Sequence, residues 1–275
     1  MTVGIRKAYV EVEHGQVHVR IAGSADSGAT PLVCLHMSPA SGVIYEKFMA
    51  EAGESRQVIA IDTPGYGMSD SFDTMPEIGD YARVIAQTVE ALGLDSIDLM
   101  GYHTGSLISL ELSRTRPDLV RRVATISMPL FTEAELVEFR ELYNPESVFT
   151  LDGEKLKERW LWYVEFFRVG TVNTIEDAAR FFISRLSGGA DHWWGHRAAF
   201  AYDVAAAARE VDVPMLILNL DDDLREHTPR VMEHLRHAEL ADCPQWSHGL
   251  LDSHSADVAQ LVTSYLDDDL RSRTA

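Results

Sequence analysis

Short, almost wholly apolar runs return along this chain with amphipathic stretches between them, and that alternation restricts the fold more than any other feature. Pro31–His36, Gln57–Ile61, Ile97–Met100, Arg122–Ile126 and Val213–Asn219 are such runs, and Ala238–Ala241 adds a shorter one. A strand apolar along its whole length is buried on both faces, as in the middle of a parallel sheet. Between the runs, Ile78, Tyr81, Ile85, Val89 and Leu92 fall on one helical stripe that stops at Gly93. A second helix begins around Leu107, Leu110 and Glu111, runs to about Arg114 and ends before Pro117; Pro229–Leu235 reads as a helix, and Ser255–Leu266 as a last amphipathic one. Thr74-x-x-Glu77 reads as a capping box with Pro76 in the first turn. Ala8–Val12 and Gln16–Ala22 alternate as half-buried strands joined at His14-Gly15. The expected fold class is α/β, a mostly parallel central sheet with helices on both faces. Ligands in such sheets bind at the carboxyl ends of the strands. His36-Met37-Ser38, Asp62, His103, Asp223 and His248 all fall there.

Residues 131–209 differ in character. Strand-like runs are scarce, Thr132-x-x-Glu135 and Thr174-x-x-Asp177 look like helix starts, and Trp160, Trp162, Trp193 and Trp194 lie here. Leu156, Trp160, Val164 and Phe167 form one helical stripe, and Trp162, Phe166 and Val169 another, roughly opposite. A helix apolar on two faces is expected to be buried on two sides. The segment reads as a helical cap, 131–209, inserted into a core made of 1–130 and 210–275. Its aromatic density points to a largely apolar pocket, with Trp160 and Trp162 as candidate ligand contacts.

Charge narrows the partners. The chain carries 24 basic and 43 acidic residues, a net charge of −19 at pH 7. A polyanionic surface repels phosphate backbones and anionic headgroups, so neither nucleic acid nor a membrane is an expected partner. Cys34 and Cys243 each sit in an apolar run and read as buried reduced thiols. With no signal-like stretch in MTVGIRKAYVEVEHG and no run of membrane-span length, the expected location is the cytoplasm. A metal would need His36, His103 and His248 to converge, or His192 and His196 to act as an i, i+4 pair. Neither has the usual motif context, so no metal and no cofactor is expected.

The chemistry-bearing segments come in a telling order. They are Leu35-His36-Met37-Ser38-Pro39, Asp62-Thr63-Pro64-Gly65-Tyr66-Gly67-Met68-Ser69-Asp70, Gly101-Tyr102-His103-Thr104-Gly105, Pro214 through Asp223, and Trp246-Ser247-His248-Gly249. Together they resemble the α/β-hydrolase superfamily over nearly the whole chain, with 131–209 in the place of the variable cap. The resemblance implies that the glycine-flanked pentapeptide is the nucleophile elbow, that His248 is the base and Asp223 its orienting acid, and that the backbone N–H groups of Ser38 and Thr104 form the oxyanion hole. The rival acids are Asp221 and Asp222. His36 is expected to hydrogen-bond the loops from beneath and remains a candidate substrate contact. Two positions depart from the family. Met37 stands where glycine is usual, and His103 stands where the nucleophilic serine belongs.

An imidazole at the elbow is open to three roles. It could be a nucleophile or general base in a hydrolytic enzyme, serve non-hydrolytic acid–base chemistry, or bind a ligand at a site that has lost catalysis. The expected function is hydrolysis of a small, largely apolar ester, lactone or related carbonyl compound. The alternatives are a non-hydrolytic acid–base enzyme on the same fold (a lyase, decarboxylase, isomerase or cofactor-free oxygenase) and a catalytically silent ligand-binding protein.

Overall fold

A computed structural model describes residues 3–143 and 147–268; residues 1–2 and 269–275 of the expected core and 144–146 of the expected cap lie outside them. The apolar runs form the strands of one sheet. β1 (Arg6–Val12) and β2 (Gly15–Ala22) make the hairpin, followed by β3 (Leu32–Leu35), β4 (Val58–Ile61), β5 (Ile97–Tyr102), β6 (Val120–Ile126), β7 (Met215–Leu220) and β8 (Ala238–Cys243). Their order across the sheet is β1-β2-β4-β3-β5-β6-β7-β8. β1, β2 and β4 pair antiparallel, and every later neighbour pairs parallel. The chain runs from β3 outward to β4 and then crosses back to β5. The strand order therefore reverses beside β3, and a crevice opens at the carboxyl ends of β3 and β5.

Side chains that alternate along each central strand feed two apolar layers. Val33, Leu35 and Leu99 pack with α2 (Ile78–Ala91) and α3 (Thr104–Thr115). Leu32, Cys34 and Met100 face the other way, against α1 (Glu46–Ala52), α9 (Leu250–Ser253) and α10 (Ser255–Asp267). Cys34 and Cys243 are buried and unpaired. No helix among the described residues is long and apolar enough to cross a membrane.

Between β6 and β7 the chain folds into α4 (Glu133–Leu142), α5 (Glu154–Phe166), α6 (Ile175–Leu186), α7 (Trp194–Ala201) and α8 (Val204–Glu210). The two expected starts are present: Thr132 caps α4 in a box with Glu135, and Thr174 accepts from the Asp177 amide to cap α6. Tyr163, Phe167, Ala178 and Phe182 form a separate small core that joins α5 to α6. The end of α7 and all of α8 return to the main core, where Ala198, Val204, Ala207 and Ala208 are buried.

Four expectations about elements need correction. The Thr74 box is not the start of α2; Glu77 is the N-cap, boxed with Asp80. Met75 precedes a proline, and that residue is pushed out of the helical region, so a helix could not begin at Thr74. The helix after the elbow begins at Thr104, one turn before Leu107. Residues 228–233 form a 3-10 turn where an α-helix was expected over Pro229–Leu235. Finally, α5 is not buried on two sides: Leu161 is 57% and Trp162 43% exposed, and its second stripe looks onto a cavity.

Candidate active site

The elbow is a sharp strand-to-helix turn. His103 sits between β5 and α3 with φ 48° and ψ −109°, a conformation that costs a non-glycine residue roughly 1–3 kcal/mol. Close packing imposes it. A Cβ on Gly105 would lie 2.0 Å from the Leu35 carbonyl oxygen, and one on Gly101 2.4 Å from the Gly105 carbonyl oxygen. Strand and helix meet too tightly for side chains at either glycine, and the turn lifts the His103 ring clear of the sheet.

Two imidazole–carboxylate pairs then face each other. His103 Nε2 lies 3.1 Å from Asp222 Oδ2, and His248 Nε2 lies 2.7 Å from Asp223 Oδ1. The rings are edge to face, 5.5 Å apart between centroids. Asp222 is pinned by the Ser127 hydroxyl at 2.6 Å and the Leu224 amide at 2.9 Å. Burial pushes the Asp222 carboxyl up, but the His103 hydrogen bond, the charges of His103 and His248, and Ser127 together hold it well below the usual carboxylate range. Asp223 is likewise raised by burial and lowered by more, through the His248 hydrogen bond and the two histidine charges. Both carboxylates are therefore acceptors, and both Nε2 atoms must donate to them. In the neutral form of each ring, Nδ1 then carries the lone pair. His248 Nδ1 faces the Tyr102 hydroxyl at 3.4 Å, and burial raises that phenol so that it keeps its proton. His103 Nδ1 has no hydrogen-bond partner among the described residues.

The family-derived oxyanion groups lie around this pair. Neither the Ser38 nor the Thr104 backbone amide donates to a backbone acceptor among the described residues, as an oxyanion hole requires. Met37 and Ser38 line a cavity of about 340 Å³ together with His103, Asp223 and His248. Thr104 lines a smaller recess beside it. His36 stands apart: its Nδ1 is 2.8 Å from the Met37 carbonyl, its Nε2 accepts from the Thr63 amide at 2.9 Å, and it is not part of the cavity wall. Burial pushes His36 down, keeping it neutral in that role.

The cap closes the other side. Trp162 lines the cavity, whereas Trp160 packs on Phe182 inside the cap core. Phe166 lies 4.2 Å from the His248 ring, centroid to centroid. The Asn173 side-chain amide donates to the carbonyl of Phe167 at 2.7 Å and to that of His248 at 3.1 Å, tying cap to loop. The cap wall is less apolar than its tryptophans suggest, because Arg159, Arg185, His192 and His196 line it as well.

A cation is chemically compatible with the centre. His103, Asp222, Asp223 and His248 each offer one ligand atom, all within 4.8 Å of one another. That two-nitrogen, two-oxygen set suits a divalent transition metal. It shares His103 and His248 with one of the two combinations set aside on the sequence, but without His36, and it uses neither His192 nor His196. The same four groups also satisfy one another as two pairs.

Sequence reasoning missed several participants. Asp222 was visible only as a rival to Asp223, and Ser127, Asn173 and Arg185 carry no motif. Ser127 has one structural mark, φ 51° directly after β6.

A family model described as alpha/beta hydrolase fold matches residues 30–165. Solved structures share the fold across nearly the whole chain. An enol-lactonase from Burkholderia xenovorans superposes with TM-score 0.78 at 16% identity, over 95% of this chain and 100% of that one. An epoxide hydrolase gives TM-score 0.77 at 19% identity, over 95% and 98%. The chain belongs to the α/β-hydrolase superfamily. Its curated relatives are hydrolases. The 2-(acetamidomethylene)succinate hydrolase of Mesorhizobium japonicum is 30% identical over 117 residues, 42% of each chain. The bifunctional epoxide hydrolase 2 of Rattus norvegicus is 24% identical over 314 residues, 93% of this chain and 56% of the relative. The chain thus spans about two fifths to somewhat over half the length of these relatives.

Proposed function

We propose that this protein is a hydrolase that uses His103 as a general base on water rather than as a nucleophile, acting on an ester, lactone or amide carbonyl. One observation carries the reading: the outer nitrogen of the elbow imidazole is committed to Asp222, and its Nδ1 lone pair is left unengaged. A ring held by its tip is poorly placed to attack. It is well placed to take a proton, as the carboxylate stabilises the imidazolium that forms. Nδ1 accepts a proton from water, and the hydroxide adds to the carbonyl carbon. The carbonyl electron pair moves to oxygen, where the Ser38 and Thr104 amides receive it. Collapse expels the leaving group, which takes its proton from the His103 imidazolium and returns that ring to its neutral form. The curated relatives, named as hydrolases, support the reaction class.

The test is turnover of a panel of esters, lactones and amides in ¹⁸O-water. Hydrolysis places one solvent oxygen in the carboxylate product, and His103→Ala is expected to lower kcat by about 10²–10⁴-fold. A product without solvent oxygen means one of the non-hydrolytic reactions, and full turnover by His103→Ala removes the base.

A second reading has its own support in the four donor atoms within 4.8 Å of one another. A divalent metal there would lower the pKa of a bound water and replace the base. Metal analysis of the purified protein and activity after dialysis against a chelator separate the two. Metal-free protein with full activity leaves only the imidazole route.

A further inference from the structure

The cavity wall inverts the charge of the chain. Acidic residues outnumber basic ones 43 to 24 overall. Yet the charged residues that line the cavity are Arg159, Arg185 and Asp223, and Asp223 is already bonded to His248. Arg185 projects from the last turn of α6. Its Nη1 donates to the Tyr163 hydroxyl at 3.0 Å, and the guanidinium lies 5.6 Å from the centre of the Tyr163 ring. Tyr163 itself belongs to the cap core, so the arginine is held against a buried side chain. Among the described residues no carboxylate forms an ion pair with Arg185, although most other arginines of the chain have one. The neighbouring rings supply no counter-charge. His192 and His196 are kept neutral by burial and by Arg185 itself. A half-buried guanidinium without an anion, in a recess beside a hydrolytic centre, is a seat for one, since its planar fork matches a carboxylate.

We propose that Arg185 binds a carboxylate carried by the substrate, so that the compound processed between His103 and His248 is an anionic acyl compound rather than a neutral apolar one. The inference rests on the hydrolytic reading for what happens to the substrate, but not for how its carboxylate is held. It changes the expected ligand: the aromatic wall of Trp162 and Phe166 packs on the carbon skeleton, and the cap arginine selects its charge.

Binding and turnover test the two parts separately. Calorimetric affinities are measured for 4-phenylbutyrate and its neutral isostere 4-phenylbutyramide. The expected result is a preference for the carboxylate of about tenfold or more, the size of a charge-assisted hydrogen bond. Arg185→Gln is expected to abolish the preference while the amide binds within about twofold of wild type, and Arg185→Lys to keep part of it. Equal affinities in the wild-type protein, or a preference that survives Arg185→Gln, overturn the proposal. Should Arg185→Gln fail to fold, as judged by its thermal melt, the wild-type comparison and Arg185→Lys decide. In parallel, the mono-p-nitrophenyl ester of succinic acid is compared with p-nitrophenyl butyrate. A carboxylate preference with no hydrolysis of either ester keeps the subsite and rejects the hydrolase reading. Hydrolysis of both with equal KM, unchanged in Arg185→Gln, does the reverse.

Discussion

His103 occupies a backbone conformation that would serve a serine equally well, and the difference lies in reach. The imidazole extends past the point a hydroxyl would occupy and meets Asp222, which Ser127 holds in place. Wild-type protein is therefore expected to resist a fluorophosphonate probe, because no nucleophilic hydroxyl stands at the elbow. His103→Ser restores the hydroxyl in the same turn, within the field of the His248–Asp223 pair, and is expected to become labelled. Intact-mass spectrometry reads both, and labelling of wild type at His103 would show the ring to be a nucleophile after all. The sequence located His103, His248 and Asp223 because each sits in a segment whose spacing the fold fixes. It could not resolve Asp221-Asp222-Asp223 into roles. Leaving β7, these neighbours turn three ways: Asp221 to Arg168 at 3.3 Å, Asp222 to His103, and Asp223 to His248. Direction at the end of a strand is set by the turn that follows, and three identical side chains carry no record of it.

At α7 the cap comes into close contact with the oxyanion loop. A Cβ on Gly195 would fall 2.1 Å from Ser38 Oγ and 2.6 Å from the Tyr66 hydroxyl, which itself accepts from the Gly195 amide at 2.8 Å. Gly195 thus allows the cap helix to rest directly on the loop that carries a proposed oxyanion donor. Gly195→Ala is expected to displace Ser38 rather than unfold the core. The predicted signature is a fall in kcat of about tenfold or more with the melting temperature lowered by only a few degrees. A loss of stability of several kcal/mol with kcat intact would place the contact outside the reaction. Helix starts in this region were readable where the side chain itself does the capping, as with Thr132 and Thr174. They were misread at Thr74, where the motif was present and the proline two residues on forbade it. The two-sided stripe of α5 was misread for another reason: an aromatic face that lines a cavity has the same periodicity as one that packs into a core.

Across the whole molecule, the two ends of the sheet do different work. At the end away from the site, the buried Arg56 donates to Asp98 at 3.1 Å and Arg121 grips the same carboxylate at 2.6 and 2.9 Å, tying β5 to β6 and to α10 through Arg56 and Asp267. The site end instead keeps titratable groups under the cap, and this gives the fold an acid weakness. Burial above all, and after it the Arg185 guanidinium, pushes His196 down to about 3. In the unfolded chain the same ring takes a proton near pH 6.5. Between those values the unfolded state binds the extra proton, so stability is complete above about 6.5 and declines as pH falls toward 3. His196 stacks on Tyr143 at 4.2 Å and 27°, and a phenyl ring fits the same stack without titrating. His196→Phe is therefore expected to flatten the acid limb of the stability curve by on the order of 1–2 kcal/mol, a reduced figure because the ring also faces the cavity. Urea unfolding of both proteins from pH 7 to pH 4 measures it. Parallel curves would mean that the cap opens and hydrates His196 before the core unfolds.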